Sequence, residues 1–431
     1  MNAMALSLLV PLSAAVGYAM FGWRPATRHL AAAAGTLLLA GALLAWAVGF
    51  NPHQAIFVAA LAGVALAVGI MLPRNVADEM TDRKIGAKAA RWVAALTMGV
   101  VTLLVVAVTM TDLGLSWLSL AAVFPVVGML MTYQRQPTGT ASAFGLMRAV
   151  AAPVSTGLVT VVALWVFGGS GWVMVPLGVV LIAFTVHAPV GLARLGVMSH
   201  LPPAGAIVVF TGVPIAAIAV VLRWSGQAAI ALSVSGVRSM LVVAGMLTLA
   251  AAVAAMLWSR DLRSLLGYLA ATGGGFALLL SSAGPEAAEL VAVFVGTFGI
   301  VVTSLIVATA DVIGVIGSSN MRLVAGWRER SRRHAGVMVV ALAASAGIPA
   351  VALWFSRLGQ WGVLPPAMVA VSAMACAVVV TGRRLVQPGP HPHLAVADSG
   401  GSGGQLTGLP VTTACVVSAV LVAVVAIPWL G

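Results

Sequence analysis

The sequence predicts an all-α integral membrane protein of about 14 transmembrane helices, and three observations predict it. Of the 431 residues, 61% are hydrophobic and only 7% charged, with a mean hydropathy of +1.10, whereas soluble domains carry about 25% charge. Apolar runs of about 20 residues, each able to cross a ~30 Å hydrocarbon core as a helix, recur from end to end. Lysine and arginine collect in alternate joints between these runs.

Taken in order, the runs predict spans over residues 3–21, 30–49, 54–72, 91–111, 113–132, 144–167, 172–198, 203–222, 236–258, 262–282, 287–312, 335–356, 363–382 and 409–430. The first has no basic segment before it and no small-residue cleavage site after it, so it reads as a retained span and not a signal peptide. Residues 387–404, QPGPHPHLAVADSGGSGG, are rich in Pro, Gly and Ser and read as a flexible linker before the last span. His391 and His393 within it are two metal-ligating side chains in a solvated setting, and a linker is the plain reading.

The charges give the orientation. Nineteen of the 22 Lys and Arg residues fall in the odd-numbered joints; Arg223, Arg238 and Arg357 alone fall in the even-numbered ones. Because cytoplasmic loops accumulate basic residues, this asymmetry predicts odd joints inside, both termini outside, and an inner (plasma) membrane location. The formal net charge of +12 does not indicate nucleic acid as a partner, since the cations sit singly between spans and form no basic face. Cys376 and Cys415 lie within apolar runs, where core packing is expected and neither a disulfide nor a metal framework is.

Ionisable groups inside the bilayer are costly and therefore mark candidate function. His187, in IAFTVHAPVGLARLGVM, falls near the centre of the seventh run beside Pro189, which removes a backbone donor and crowds the carbonyl of residue 185. It admits two readings, a satisfied structural histidine or a proton relay. In the twelfth run, Gly347 and Pro349 are expected to interrupt the helix ahead of Arg357, which either snorkels to the surface or faces a hydrated passage. Asp311, deep in the eleventh run, is expected at the inner surface; Asp112, Glu286 and Glu289 are expected in solvated joints. The glycines of ATGGGFALL (271–279) are expected to permit close helix packing.

Several segments together resemble the antiporter-like membrane subunits shared by respiratory complex I, membrane-bound hydrogenases and Mrp-type cation/proton antiporters. FTVHAPV is similar to that family's seventh-span pattern Phe-Ala-Val-Lys-Ala-Pro-Leu, with His187 at the lysine. HLPPAGAIVVFTGVPIAAIAVVLR resembles its next span through Pro202 and Arg223. DLRSLLGY resembles Asp-Ile-Lys-Arg-Leu-Leu-Ala-Tyr through Asp261, Leu265, Leu266 and Tyr268. AGIPAVALWFSR resembles Ala-Gly-Ile-Pro-Pro-Leu-Ser-Gly-Phe-Phe-Ser-Lys, with Arg357 at the lysine. The resemblance implies two inverted five-helix repeats, over residues 91–222 and 236–382, with broken seventh and twelfth helices. It also implies a mid-membrane proton path of alternating acidic and basic groups. His187 and Arg357 are the positions of that path that stay basic here. The fifth-span glutamate falls near Ala121 and the eighth-span lysine on Ile215. The eleventh-span His and Lys pattern falls near Gly296 and Ile300.

These replacements matter physically. A buried lysine cycles its proton only when a neighbouring carboxylate changes charge, and an arginine stays protonated throughout. Three functions follow as expectations. The first is an antiporter-like subunit of a complex-I-related NADH–quinone oxidoreductase, hydrogenase or Mrp-type complex that contributes to proton or cation translocation. The second is a scaffold subunit that has lost the path. The third is the membrane subunit of an inorganic-carbon uptake system. Other membrane subunits are the expected partners, and the basic loop RLVAGWRERSRRH offers a place for a cytoplasmic one. No cofactor is expected, because no glycine-rich strand-to-helix signature occurs and two buried cysteines cannot hold a cluster.

Overall fold

A computed structural model of the chain describes residues 3–48, 52–81, 85–133, 137–168, 171–186, 191–194, 197–284, 287–316, 319–321, 332–355 and 364–386. Among these, thirteen helices account for the first thirteen expected spans: α1 (Ala3–Phe21), α2 (Leu30–Ala47), α3 (Pro52–Thr81), α4 (Ala87–Thr109), α5 (Leu113–Met131), α6 (Pro137–Phe167), α7 (Gly171–Val186), α8 (Pro203–Ile230), α9 (Ser233–Trp258), α10 (Leu262–Ser281), α11 (Ala288–Ile316), α12 (Arg332–Phe355) and α13 (Leu364–Val386). Nine are long and apolar enough to cross a membrane; the other four contain the shorter apolar stretches Ser7–Phe21, Val173–Phe184, Ala341–Ala350 and Val371–Val380. The linker (387–404) and the last expected span (409–430) lie outside the described residues, as do His391, His393, Cys415 and Glu286.

Two boundaries differ from expectation. The eighth and ninth spans are not separated by a loop: helical backbone runs from Val213 to Trp258 and departs from it at Ser233 (φ 65°, ψ 154°). That conformation is costly for a residue with a side chain, and the serine is suited to it because its Oγ accepts from the Gly236 amide at 3.3 Å. It thereby caps α9. The second difference concerns α12, which passes through Gly347 and Pro349 without interruption and is helical as far as Phe355, the last described residue of this segment. The expected break at these two residues is therefore corrected. Within a span the cost of a proline can be met by neighbouring groups, and Pro349 is packed in the buried part of the bundle.

Helices in a bilayer gain nothing from hiding apolar surface, so they associate by close van der Waals fit, and small residues set how close. At the α2–α3 contact a Cβ on Gly69 would lie 2.3 Å from the Ala32 backbone nitrogen, and one on Gly35 would lie 2.6 Å from that of Leu66. The two backbones touch. Gly275 in the ATGGGFALL stretch similarly meets the carbonyl of Gly245 on α9 at 3.0 Å from the position of a Cβ, the packing role expected of it. Elsewhere a tryptophan fills the space a glycine leaves: Trp117 against Gly157 and Trp224 against Gly178, with the Trp224 indole donating to the Met174 carbonyl at 2.8 Å. Cys376 lies on an exposed face of α13 and not in the core.

Candidate functional site

The interruption expected in the seventh span falls at His187 to Pro189, outside the described residues. Helix α7 is described as far as Val186, and short helical turns at Leu192–Arg194 and Val197–His200 precede α8. Arg357 also lies outside the described residues. One turn ahead of His187, Phe184 is buried with its ring edge against Phe124 of α5 (centroids 4.6 Å apart).

Ala121 and Ile215, onto which the resemblance carries the fifth-span glutamate and eighth-span lysine, are both buried among apolar neighbours. Ala121 is buried on α5 between Trp117, one turn before it, and Phe124, one turn after it, both fully buried. Pro125 has no N–H for the Ala121 carbonyl. On α8, Pro214 likewise cannot bond the carbonyl of Phe210, and the helix widens into a π turn at Val208–Gly212, where the Val213 amide reaches the Val208 carbonyl. Single π turns of this kind often mark functional positions. The next turn carries Ile215, buried, its Cδ1 3.1 Å from where Gly299 of α11 would place a Cβ.

A cavity of about 20 Å³ lies at this crossing, lined by Thr211, Ile215, Gly273, Phe294, Phe298 and Gly299 among others. A single water needs about 10–15 Å³ and two or more polar partners. The side-chain polarity here is one hydroxyl pair: Thr211 donates to the Ile207 carbonyl (2.5 Å) and accepts from Thr303 (3.3 Å). No ionisable residue lines it. Gly296, near the expected eleventh-span pattern, packs against Ala60 of α3.

Two contacts between ionisable side chains join α3 to α11, one toward each end of the helices. Arg74 of α3 contacts Asp311 of α11 at 3.2 Å, and His53 of α3 lies 3.6 Å from Glu289 of α11. Early residue meets early and late meets late, so α3 and α11 run parallel. The spacings of 21 and 22 residues correspond to about 32 Å of helix, close to the ~30 Å of the hydrocarbon core. The two pairs therefore bracket the bilayer. Asp311, expected at a helix end near the inner surface, is largely buried against Arg74, whereas Glu289, at the start of α11, stays partly solvated beside His53. Asp112 is also engaged: it caps α5 by accepting from the Leu115 amide (2.7 Å), and the Trp165 indole reaches it at 3.4 Å.

At the arginine-rich end, Asp261 caps α10 through the Ser264 amide (2.7 Å), and the Tyr133 hydroxyl donates to Glu79 (2.6 Å). His200, between the seventh and eighth spans, has its pKa held below the ordinary 6.5 by burial and then by the Arg263 charge. With the folded value depressed, protonation favours the unfolded chain, so stability is retained above about pH 6.5 and falls as the pH drops below it. The expected result is a thermal midpoint in detergent that declines between pH 7.5 and 5.5, with a shallower decline in His200→Gln. Equal slopes would remove His200 from that dependence.

At the opposite end, Arg223 of α8, which the sequence flags only as an even-joint charge, donates to the carbonyls of Ala107 (2.9 Å), Val108 and Met110 and to Ser116 (3.1 Å). It closes the C-terminus of α4, whose last carbonyls have no helical partner. Among the described residues no group of three His, Cys, Asp or Glu side chains could hold a metal ion.

No protein-family model and no curated protein matches the sequence. Solved structures do. A chain of the membrane-bound sulfane sulfur reductase, an archaeal respiratory membrane complex, aligns with a TM-score of 0.73 at 12% identity, over 98% of this chain and 94% of that one. A chain of respiratory complex I from Thermus thermophilus aligns with a TM-score of 0.71 at 17% identity, over 98% of both. The chain thus has, over nearly its whole length, the all-helical membrane fold found in these respiratory complexes.

Proposed function

We propose that this chain is an antiporter-type integral subunit of a multi-subunit respiratory membrane complex, and that it serves there as a membrane scaffold whose path between the two repeats is closed. The observation that carries the second part is Ile215, packed over Gly299 where the family places a lysine, in a crossing lined by no ionisable group. A proton relay needs ionisable groups or a chain of waters, and among the described residues this crossing offers one hydroxyl pair, Thr211 and Thr303, and room for about one water. The fold, shared end to end with chains of two respiratory complexes, supports the first part. The lysine and arginine asymmetry supports a plasma-membrane orientation with both termini outside. Purification from native membranes in mild detergent is expected to recover the chain with further integral subunits in fixed stoichiometry. Recovery of a lone chain would count against membership of a complex, and recovery with a zinc protein alone would favour the inorganic-carbon system.

One observation favours a second reading, a local proton relay at His187. Pro189 beside His187 removes a backbone donor from the run, and interrupted helices line ion paths in transporters. A neutral imidazole accepts a proton on one nitrogen and releases it from the other.

A further inference from the structure

The joint between α1 and α2 is short but built. The Thr27 hydroxyl donates to the carbonyls of Gly22 (2.8 Å) and Arg24 (3.1 Å) and accepts from the Arg24 amide (2.9 Å). The amides of Thr27 and Arg28 both return to the Arg24 carbonyl at 3.0 Å. Tyr18 anchors the turn from below, its hydroxyl bonding the Arg28 carbonyl (3.3 Å) and receiving the Ala31 amide (3.0 Å), while its ring stacks on Trp23 (5.8 Å). Arg24 and Arg28 are thereby fixed one turn apart, both exposed, as is His29. A flexible topology signal needs none of this.

Across the joint stands the start of α4. The Cδ of Arg91 lies 3.8 Å from where Gly22 would place a Cβ, and the Arg91 guanidinium sits 5.2 Å from the Trp92 ring centroid. Its Nε is buried with no hydrogen-bond partner among the described residues. Lys88, exposed, lies one turn earlier on the same helix. Four permanent cations thus lie on two adjacent elements, and no described acid lies within ion-pair distance of any of them. Trp23 and Trp92 flank them, the residue type that prefers the headgroup level.

We propose that Arg24, Arg28, Lys88 and Arg91 form a binding site for the phosphate of an anionic phospholipid headgroup. Guanidinium pairs meet phosphate oxygens with two parallel hydrogen bonds. The choice of lipid over a soluble anion rests on position: the cluster follows directly on the apolar helix α1 and opens α4, and Trp92 beside it is 44% exposed. Such a site would fix the α1–α4 edge of the bundle in the leaflet.

The test uses the full chain in nanodiscs of zwitterionic lipid, with phosphatidylglycerol titrated in and bound lipid counted by native mass spectrometry. The expected result is one saturable phosphatidylglycerol site, weakened at least tenfold in Arg24→Gln/Arg28→Gln/Arg91→Gln and unchanged in the control Arg148→Gln, an inner-end cation on α6. The variant's thermal midpoint in purely zwitterionic lipid should stay near that of the unaltered chain, which separates lost binding from lost folding. Unchanged affinity in the triple variant, or equal affinity for zwitterionic lipid, would overturn the proposal. Displacement of the lipid by millimolar inorganic phosphate would overturn the lipid assignment and indicate a soluble anion instead.

Discussion

Ile215→Lys, which puts back the basic residue of the family pattern, is expected to cost about 3 kcal/mol or more and to open no proton path. The side chain at this position is fully buried against Gly299, and the adjoining cavity of about 20 Å³ holds no acid to pair with it. An uncompensated buried charge typically costs about 3–5 kcal/mol. Ile215→Met, nearly equal in volume and uncharged, should cost less than about 1.5 kcal/mol. The comparison is read as thermal midpoints in one detergent, beside proton flux in vesicles. A lysine variant as stable as the methionine variant would mean that the crossing is wetter or better supplied with partners than the packing indicates.

The second large effect is expected at the α2–α3 contact, and α3 carries its own control. Gly69→Ala would drive a methyl group to within 2.3 Å of the Ala32 backbone, whereas a Cβ on Gly63 meets nothing within 4 Å. A clash with backbone cannot be relieved by turning a side chain, so the two helices must separate, at a cost of about 1–3 kcal/mol by the usual scale of overpacking. Gly63→Ala removes a flexible residue from a helix interior and should be neutral or stabilising by up to about 1 kcal/mol. Matching midpoints for the two variants would show that α2 and α3 are further apart than described.

Why one glycine of α3 is indispensable and another is not cannot be read from the chain, because the answer lies in what α2 brings opposite each. The same limit applies to the pairs that bracket the bilayer. His53 and Arg74, Glu289 and Asp311 have nearly equal spacings in the sequence, but only the parallel alignment of α3 and α11 makes those spacings meaningful. Glu289 and Asp112 do lie at helix starts as their place in the joints indicates, but that one faces His53 of α3 and the other caps α5 is visible only in the packing. What hydropathy could show, it showed well: apolar runs located thirteen helices among the described residues. The reasoning from Gly347 and Pro349 failed for a physical reason. A proline removes one hydrogen bond but does not end a helix whose neighbours support it, and α12 continues to Phe355. At the candidate site, the identities of Ala121 and Ile215 already signalled lost ionisable groups. That the gaps had been filled, by Trp117 and Phe124 on one side and by Gly299 on the other, required the packing.

The closed crossing is tested most directly by proton flux. The intact chain, reconstituted in vesicles and driven by a pH gradient and membrane potential, is predicted to conduct no faster than protein-free vesicles, with His187→Ala indistinguishable from it. Flux well above that background, abolished by His187→Ala, would contradict the scaffold reading and establish a working relay at His187.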